Sequence, residues 1–367
     1  MKITRLELIP VFSTREMGKT CPSDSEKAVS QHVIVFLHTD ADIIGLGEMS
    51  DVNFDPTPKV VGELQARLEP LLVGRSPFDR TAILVDLCRQ EWDHQVKCAI
   101  EISIYDAMGK ALDLPVHQLL GGKYRDRIPF AYPLAAARTE PDVDSNLARV
   151  ERLLEQGHST IRYYFGVNLD EDDRFLTELR RRWGNDVLIN ALDMSGRFEV
   201  EEGIEVIKRF AHYEPNLFES PVNGRHFAPP EDFLRVKGAV DVPISEHVGS
   251  TEIGVRLARN NAVDVFNVGV DWDGITECIK IFALGEMFGI KVLHGSTVEL
   301  SIGTAARAHL LAAMPNVDLP CYPAGPLVYQ EQVVKEKVRY KDGHIVVPDG
   351  PGLGVEIDVE RLATQRL

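Results

Sequence analysis

Apolar and polar positions alternate from Ile3 to Ile9, and the same period of two returns over Val33 to Leu37 and Ile43 to Gly47. The last two runs flank the turn-rich His38-Thr39-Asp40-Ala41-Asp42, so the opening of the chain predicts antiparallel sheet. Ser13 to Gln31 interrupts it with a polar stretch holding Gly18 and Cys21-Pro22, too long for a tight turn and therefore expected to be a functional loop. Helical periodicity takes over from Lys59 to Leu72 and from Val96 to Ala111, and Gly121-Gly122 closes this α+β region.

Beyond Gly122 short apolar runs alternate with amphipathic helical stretches, the appearance of repeated βα units on a parallel sheet. The predicted strands are Ile128 to Tyr132, Thr160 to Tyr164, Val187 to Asp193, Asn216 to Glu219, Val242 to Glu246, Val263 to Val268, Lys291 to His294 and Leu319 to Cys321. That many strands over about 190 residues fit a closed barrel better than an open sheet. The expected fold is thus α/β, a modified TIM barrel over residues 126–324 with an N-terminal α+β capping domain over 1–125. Val338 to Val347 and Pro351-Gly352-Leu353-Gly354 return to strand-and-turn chemistry, so residues 325–367 are expected to complete the cap by packing on its sheet.

Composition narrows the function. With 367 residues, 44% of them hydrophobic and 26% charged, the chain can bury a sizeable core. Forty Lys and Arg against 56 Asp and Glu leave a formal charge of -16, the wrong sign for gripping phosphate backbones, so no nucleic-acid partner is expected. The five cysteines are scattered without CxxC spacing, and no stretch is apolar enough to span a membrane. A cytoplasmic protein without a membrane partner is the expectation.

Three predicted strands end in an acid: Asp193, Glu219 and Glu246, spaced by 26 and 27 residues, one βα unit each. Any one alone reads as a helix cap. Together on one rim they would repel, and a divalent cation removes the conflict; all-oxygen ligation indicates one Mg²⁺ ion. The preceding strand places Arg162 and Tyr164 on one face and Tyr163 on the other. Tyrosine is a poor base at its free pKa of about 10, and an adjacent fixed cation favours the phenolate. The competing reading is an aromatic that fills the barrel beside an arginine paired elsewhere. His294, closing a later strand, would either stand across the site as a proton donor or acceptor or, equally, be a rim histidine held by a backbone carbonyl. His247 should face away from Glu246 and support it from behind, while Asp271 or Asp273 could orient His294. No nucleophile elbow, Walker loop, HExxH or dinucleotide glycine fingerprint is present.

With Gly45-Leu46-Gly47-Glu48, Ala99 to Gly109 with Asp106, Leu120-Gly121-Gly122, Phe218-Glu219-Ser220-Pro221 and Gly303 to His309, the chain resembles the enolase superfamily in its mandelate racemase-like branch. Most members carry Lys-x-Lys on the second barrel strand, and this chain has Arg162-Tyr163-Tyr164. That pair, with Gly47-Glu48-Met49-Ser50-Asp51 and Pro243-Ile244-Ser245-Glu246-His247, is similar to galactarate dehydratases of the Arg-x-Tyr type. The resemblance implies Asp193, Glu219 and Glu246 as Mg²⁺ ligands and Tyr164, assisted by Arg162, as the base that takes the proton next to the carboxylate of a small anionic substrate, in a homo-oligomer. It also implies a cap-loop histidine, for which Val52-Asn53-Phe54-Asp55-Pro56 offers Phe54. Asn53 and Phe54 are the cap candidates for contacting substrate. The leading expectation is an acid-sugar dehydratase that expels a β-hydroxyl, with His294 as acid. A racemase or epimerase using Tyr164 and His294 on opposite faces of the substrate, and a non-catalytic metal-and-carboxylate binder, are the alternatives.

Overall fold

The computed structural model describes residues 1–15 and 29–367, without the side chain of Asp273. Strands β1 (Ile3–Thr14), β2 (Val29–Thr39) and β3 (Ile44–Met49) form an antiparallel sheet in that order. Most of the expected loop between the first two strands lies outside the described residues. Four helices follow: α1 (Pro58–Leu72), α2 (Arg80–Cys88), α3 (His94–Leu112) and α4 (Val116–Leu119). Thr57 and Asp93 start α1 and α3 by accepting hydrogen bonds from Val60 N and Gln95 N at 3.4 and 2.9 Å. Helix α3 lies hard against β3. A Cβ at Gly45 would stand 2.1 Å from the carbonyl oxygen of Ser103, and one at Gly47 2.1 Å from that of Ala99. The Gly-Leu-Gly run therefore exists for a backbone-on-backbone contact that seals a core of Leu6, Val33, Val35, Leu37, Ile100 and Ile104.

The second layer begins with β4 (Arg127–Pro129), β5 (Tyr132–Leu134), α5 (Glu140–Glu155), β6 (Thr160–Tyr164), α6 (Leu169–Trp183), β7 (Leu188–Asp193), α7 (Val200–Phe210) and β8 (Phe218–Glu219). It continues through α8 (Pro230–Ala239), β9 (Ile244–His247), α9 (Thr251–Arg259), β10 (Val265–Val268), α10 (Val270–Phe288), β11 (Lys291–His294) and α11 (Ser301–Ala313). The helices carry strong local signals. In α6, Asn168 caps Asp170 N at 3.2 Å, with Asp170, Glu171 and Asp172 in the first turn and Arg180, Arg181 and Arg182 in the last, all favourable to the helix dipole.

Strands β5 to β11 pair in parallel, each beside its sequence neighbour. The expected first strand is divided: β4 pairs elsewhere, and β5 opens the barrel at Tyr132. The expected last strand is a single bridge, Phe130 to Cys321, because Pro320 has no N–H to give to a ladder. It still closes the ring. Cys321 N donates to Pro129 O (2.8 Å), Ala131 N to Cys321 O (2.9 Å) and Tyr322 N to His294 O (2.9 Å).

After α12 (Gly325–Val328), the hairpin β12 (Tyr340–Lys341) and β13 (His344–Val346) pairs with β4 and not, as expected, with the cap sheet. The chain then reaches the cap by backbone bridges of Tyr329 to Arg15, Gly352 to Pro115 and Arg366 to Val11, closing with α13 (Val359–Gln365). Buried Asp106 on α3 accepts from Leu46 N in the cap and from Leu353 N in the Pro-Gly-Leu-Gly turn, both at 2.7 Å. Leu367 N donates to Pro10 O at 3.0 Å. Among the described residues no helix is long and apolar enough to cross a membrane.

Candidate active site

The register of the parallel sheet decides which side chains share the barrel interior. Tyr164 pairs with Asp193, Asp193 with Glu219, Glu219 with Ser245 and Ser245 with Val265, so these five stand in one row on one face. The row exists because the β6–β7 ladder slips by one residue between Ile161 and Arg162. Without the slip Leu192 would stand beside Tyr164.

The same register seats His247 beside Asn267, two residues above Ser245 and Val265 and on their face. His247 thus lines the cavity, contrary to the expectation that it faces away, and Glu246 is the one paired with outward Phe266. Parity also removes His294. It shares a face with Val292, packed between sheet and helices, and is fully buried. Its Nδ1–H donates to Gly295 O at 2.6 Å and its Nε2 accepts from Val270 N at 3.1 Å. Both ring nitrogens are used by the neutral form, and burial pushes its pKa down to about 4. The assignment of His294 as proton donor or acceptor is therefore corrected: it holds the backbone between β10 and β11.

A cavity of about 830 Å³ opens where these strands end, bounded by cap and barrel. Arg162 and Tyr164 both line it, while Tyr163 turns into the core and donates its O–H to Asp172 at 2.7 Å. The Arg162 guanidinium reaches Asp193 Oδ2 at 2.5 Å and Glu219 Oε1 at 2.7 Å, and its centre lies 4.2 Å from the Tyr164 ring centroid. Burial opposes its charge, but Asp193 and Glu219 outweigh burial and hold its pKa well above the ordinary value. Burial likewise works against the charge of Glu219, and Arg162 and His247 overcome it, leaving its pKa low.

Of the expected metal ligands, Asp193 also accepts from Ser195 N at 2.8 Å, and Glu246 from Ser220 Oγ at 2.9 Å and His247 N at 2.6 Å. His247 lies between two of the acids, with Nε2 3.3 Å from Glu219 Oε1 and Nδ1 3.2 Å from Glu246 Oε1. No group of three or more His, Cys, Asp or Glu side chains among the described residues is gathered around an open point for an ion, because the Arg162 guanidinium stands among them. The donor set still suits a hard divalent cation. It is all carboxylate, two members are in register, and Glu246 Oε2 is buried without a hydrogen-bond partner.

The remaining candidates separate. Asn53 lines the cavity. Phe54 packs on the cap core with its neighbour Val52, so the aromatic serves the cap and not the substrate side. Asp271 does not orient His294; it accepts from Thr297 Oγ1 and from buried Arg307, bracing the loop after β11. The Asp273 side chain lies outside the described residues. Sequence reasoning passed over Arg15, Arg197, Arg225, His226 and Tyr322, which also line the cavity. Arg197 and Arg225 follow β7 and β8 directly, and position after a barrel strand was the available signal.

A phenol stacked on a guanidinium above in-register carboxylates stands at the carboxyl ends of parallel barrel strands and under an α+β cap, where barrel enzymes place their active sites. Residues 146–362 match the family described as enolase C-terminal domain-like, and residues 22–121 the mandelate racemase / muconate lactonizing enzyme N-terminal domain. The chain belongs to the mandelate racemase and muconate lactonizing enzyme branch of the enolase superfamily. It is similar to the chloromuconate cycloisomerase of Pseudomonas putida, 29% identical over 334 residues covering 87% of each chain. It is also similar to muconate cycloisomerase 1 of Rhodococcus opacus, 28% identical over 80% of this chain and 79% of the relative. The fold matches the crystal structure of 2-chloromuconate cycloisomerase from Rhodococcus opacus 1CP with a TM-score of 0.90 at 22% identity, both chains covered fully. N-succinyl Arg/Lys racemase from Bacillus cereus matches at 0.88 and 24% identity, over all of this chain and 98% of that one.

These relatives overturn the acid-sugar dehydratase expectation. The chloromuconate and muconate cycloisomerases that cover 80% or more of this chain are named for cycloisomerisation, an isomerase reaction, and neither is a galactarate dehydratase. Arg-x-Tyr on one strand is a short signal and did not carry the reaction class.

Proposed function

We propose that this protein is a divalent-metal-dependent isomerase of a carboxylate substrate in which one side chain, Tyr164, moves the proton. The observation that carries the reading is the Tyr164 ring stacked at 4.2 Å on a guanidinium that also holds Asp193 and Glu219, while His294 is sealed behind the sheet. Tyr164 and His294 cannot serve as opposed bases. One-sided proton transfer supports cycloisomerisation, the reaction named for the relatives, over exchange between two faces of one carbon.

In that reaction a carboxylate oxygen of a conjugated diacid forms a C–O bond to the far end of a double bond. The electron pair moves toward the carbon α to the other carboxylate, and Tyr164 delivers its phenolic proton to that carbon. Tyr164 then regains a proton from water, so the ring product carries one charge fewer than the diacid. Arg162 steadies the phenolate that stands in between. Asp193, Glu219 and Glu246 are the residues that would hold Mg²⁺, which when bound supplies positive charge to the substrate carboxylate as charge builds there. For it to enter, Arg162 has to release at least one carboxylate oxygen.

Muconate and chloromuconate are the first substrates to test, in D₂O with Mg²⁺. Loss of diene absorbance with one deuterium in the ring product is the expected result, lost in Tyr164→Phe. Full turnover in that variant refutes proton transfer by Tyr164.

A further inference from the structure

Four guanidinium groups line the cavity, and three of them have partners that account for their placement. Arg15 donates to Ser30 Oγ at 2.9 Å, Asp51 Oδ2 at 2.9 Å and the Tyr329 hydroxyl at 3.2 Å. Arg162 holds Asp193 and Glu219. Arg197 donates to the carbonyls of Phe165 and Met194 at 3.0 and 3.1 Å.

Arg225 is different. Its NH2 group meets a ring nitrogen, His247 Nδ1, at 2.9 Å, and its Nε is buried with no hydrogen-bond partner. Among the described residues no carboxylate lies within ion-pair distance of it.

The backbone is nevertheless built to put it there. Arg225 has φ of +50°, in the left-handed region that non-glycine residues enter at a cost, directly after Gly224 at +82°. On the facing loop after β7, a Cβ at Gly196 would stand 2.5 Å from Arg225 Cγ and 3.3 Å from Cδ, so the stem of the side chain lies flat on that glycine. A cation held by a strained backbone and a glycine seat, with His247 its hydrogen-bond partner, Glu219 within its field and one donor left over, has room for a further anion. His226 beside it likewise has a buried Nδ1 without a partner. The loop after β8 is two strand spacings from Tyr164 on β6, roughly 10 Å at the usual separation of neighbouring strands.

We propose that Arg225 is a substrate-binding residue: it receives an anionic group of the substrate remote from the carbon that Tyr164 protonates, and so makes the site select dianions over monoanions. The proposal rests on the reading of this cavity as the active site for a carboxylate.

Binding of adipate and of hexanoate, unreactive acids of equal chain length with two carboxylates and one, tests it by calorimetry on the Mg²⁺-loaded protein. Wild type is expected to bind adipate at least about 30-fold more tightly, since each acid has one carboxylate for the metal side and only adipate has a second. Arg225→Met is expected to bring the two within about threefold while leaving hexanoate binding unchanged. Gly196→Ala, which displaces the stem and keeps the charge, is expected to lose preference in the same direction and serves if Arg225→Met does not fold. An adipate preference that survives both substitutions, or a wild-type protein that does not distinguish the acids, overturns the proposal. A turnover assay of Tyr164→Phe, run beside these titrations, separates the two readings. If Tyr164→Phe still turns substrate over, the function fails while the Arg225 result stands; if it is inactive and Arg225→Met still prefers adipate, the Arg225 role alone fails.

Discussion

His247 and His294 close barrel strands that lie two places apart, and they lead opposite lives. His247 stands in the cavity wall between Glu219 and Glu246, with Arg225, Asn267 and Trp272 around it. His294 is sealed between sheet and helices, its ring hydrogen-bonded only to backbone. Chemistry does not distinguish the two, since each is an imidazole at the carboxyl end of a strand. The parity of the sheet does, because Asn267 pairs with His247 on one face while Val268 pairs with His294 on the other. A catalytic role therefore depends on which face of the strand a residue occupies as much as on where the strand stops.

The largest expected contrast is in turnover. Tyr164→Phe should lower kcat by about 10³-fold or more, within the usual reach of a proton-transferring side chain, whereas His294→Asn should stay within about tenfold of wild type in a steady-state assay. A deep kcat loss in His294→Asn with an intact fold would erase the distinction drawn here.

Next is the loop that braces the wall behind His294. Arg307 is fully buried, hydrogen-bonded to Asp271 and 3.4 Å from Glu299, and burial lifts the Glu299 pKa to about 8. Arg307→Met should cost about 3–5 kcal/mol in urea unfolding by removing the buried cation that Asp271 faces.

The third prediction concerns acid. His294 and His309 have folded pKa values pushed down by burial to about 4, below the roughly 6.5 of an unfolded histidine. The unfolded chain binds the extra protons, so the stability due to each ring is complete above pH about 6.5 and is lost as pH falls toward 4. The loss is on the order of 3 kcal/mol per ring. His294→Asn should flatten that part of the stability–pH curve; an unchanged slope would show that the ring is hydrated.

The mildest effect is expected at His247. His247→Asn should weaken Mg²⁺ binding by about 10- to 100-fold, as for residues that orient metal ligands, with little change in thermal stability. If Mg²⁺ titration is unaffected, His247 belongs to substrate and not to the metal side.

Much of the fold was legible because its signals are local. The period-two runs of the cap, the βα rhythm and the cap residues of α6 each act within a few positions of themselves. The divided first strand was not, since Ile128 pairs with Ile345, more than two hundred residues away. At the site, the acids Asp193 and Glu219 could be picked out by their spacing of one βα unit, and Arg162 with Tyr164 by alternation. His247, His294 and Phe54 were misplaced, because their facing depends on strand register and packing between layers.

Composition and short-range pattern were enough to point to a capped barrel with acids at successive strand ends, since strand ends and helix starts are written in adjacent residues. The folded chain alone chose which face each rim residue presents, moved Asp193 beside Tyr164 by a one-residue slip, and brought Arg225 onto Gly196. Those outcomes are set by hydrogen-bond pairing and close backbone approach between segments far apart in the chain, which no window of neighbouring residues contains.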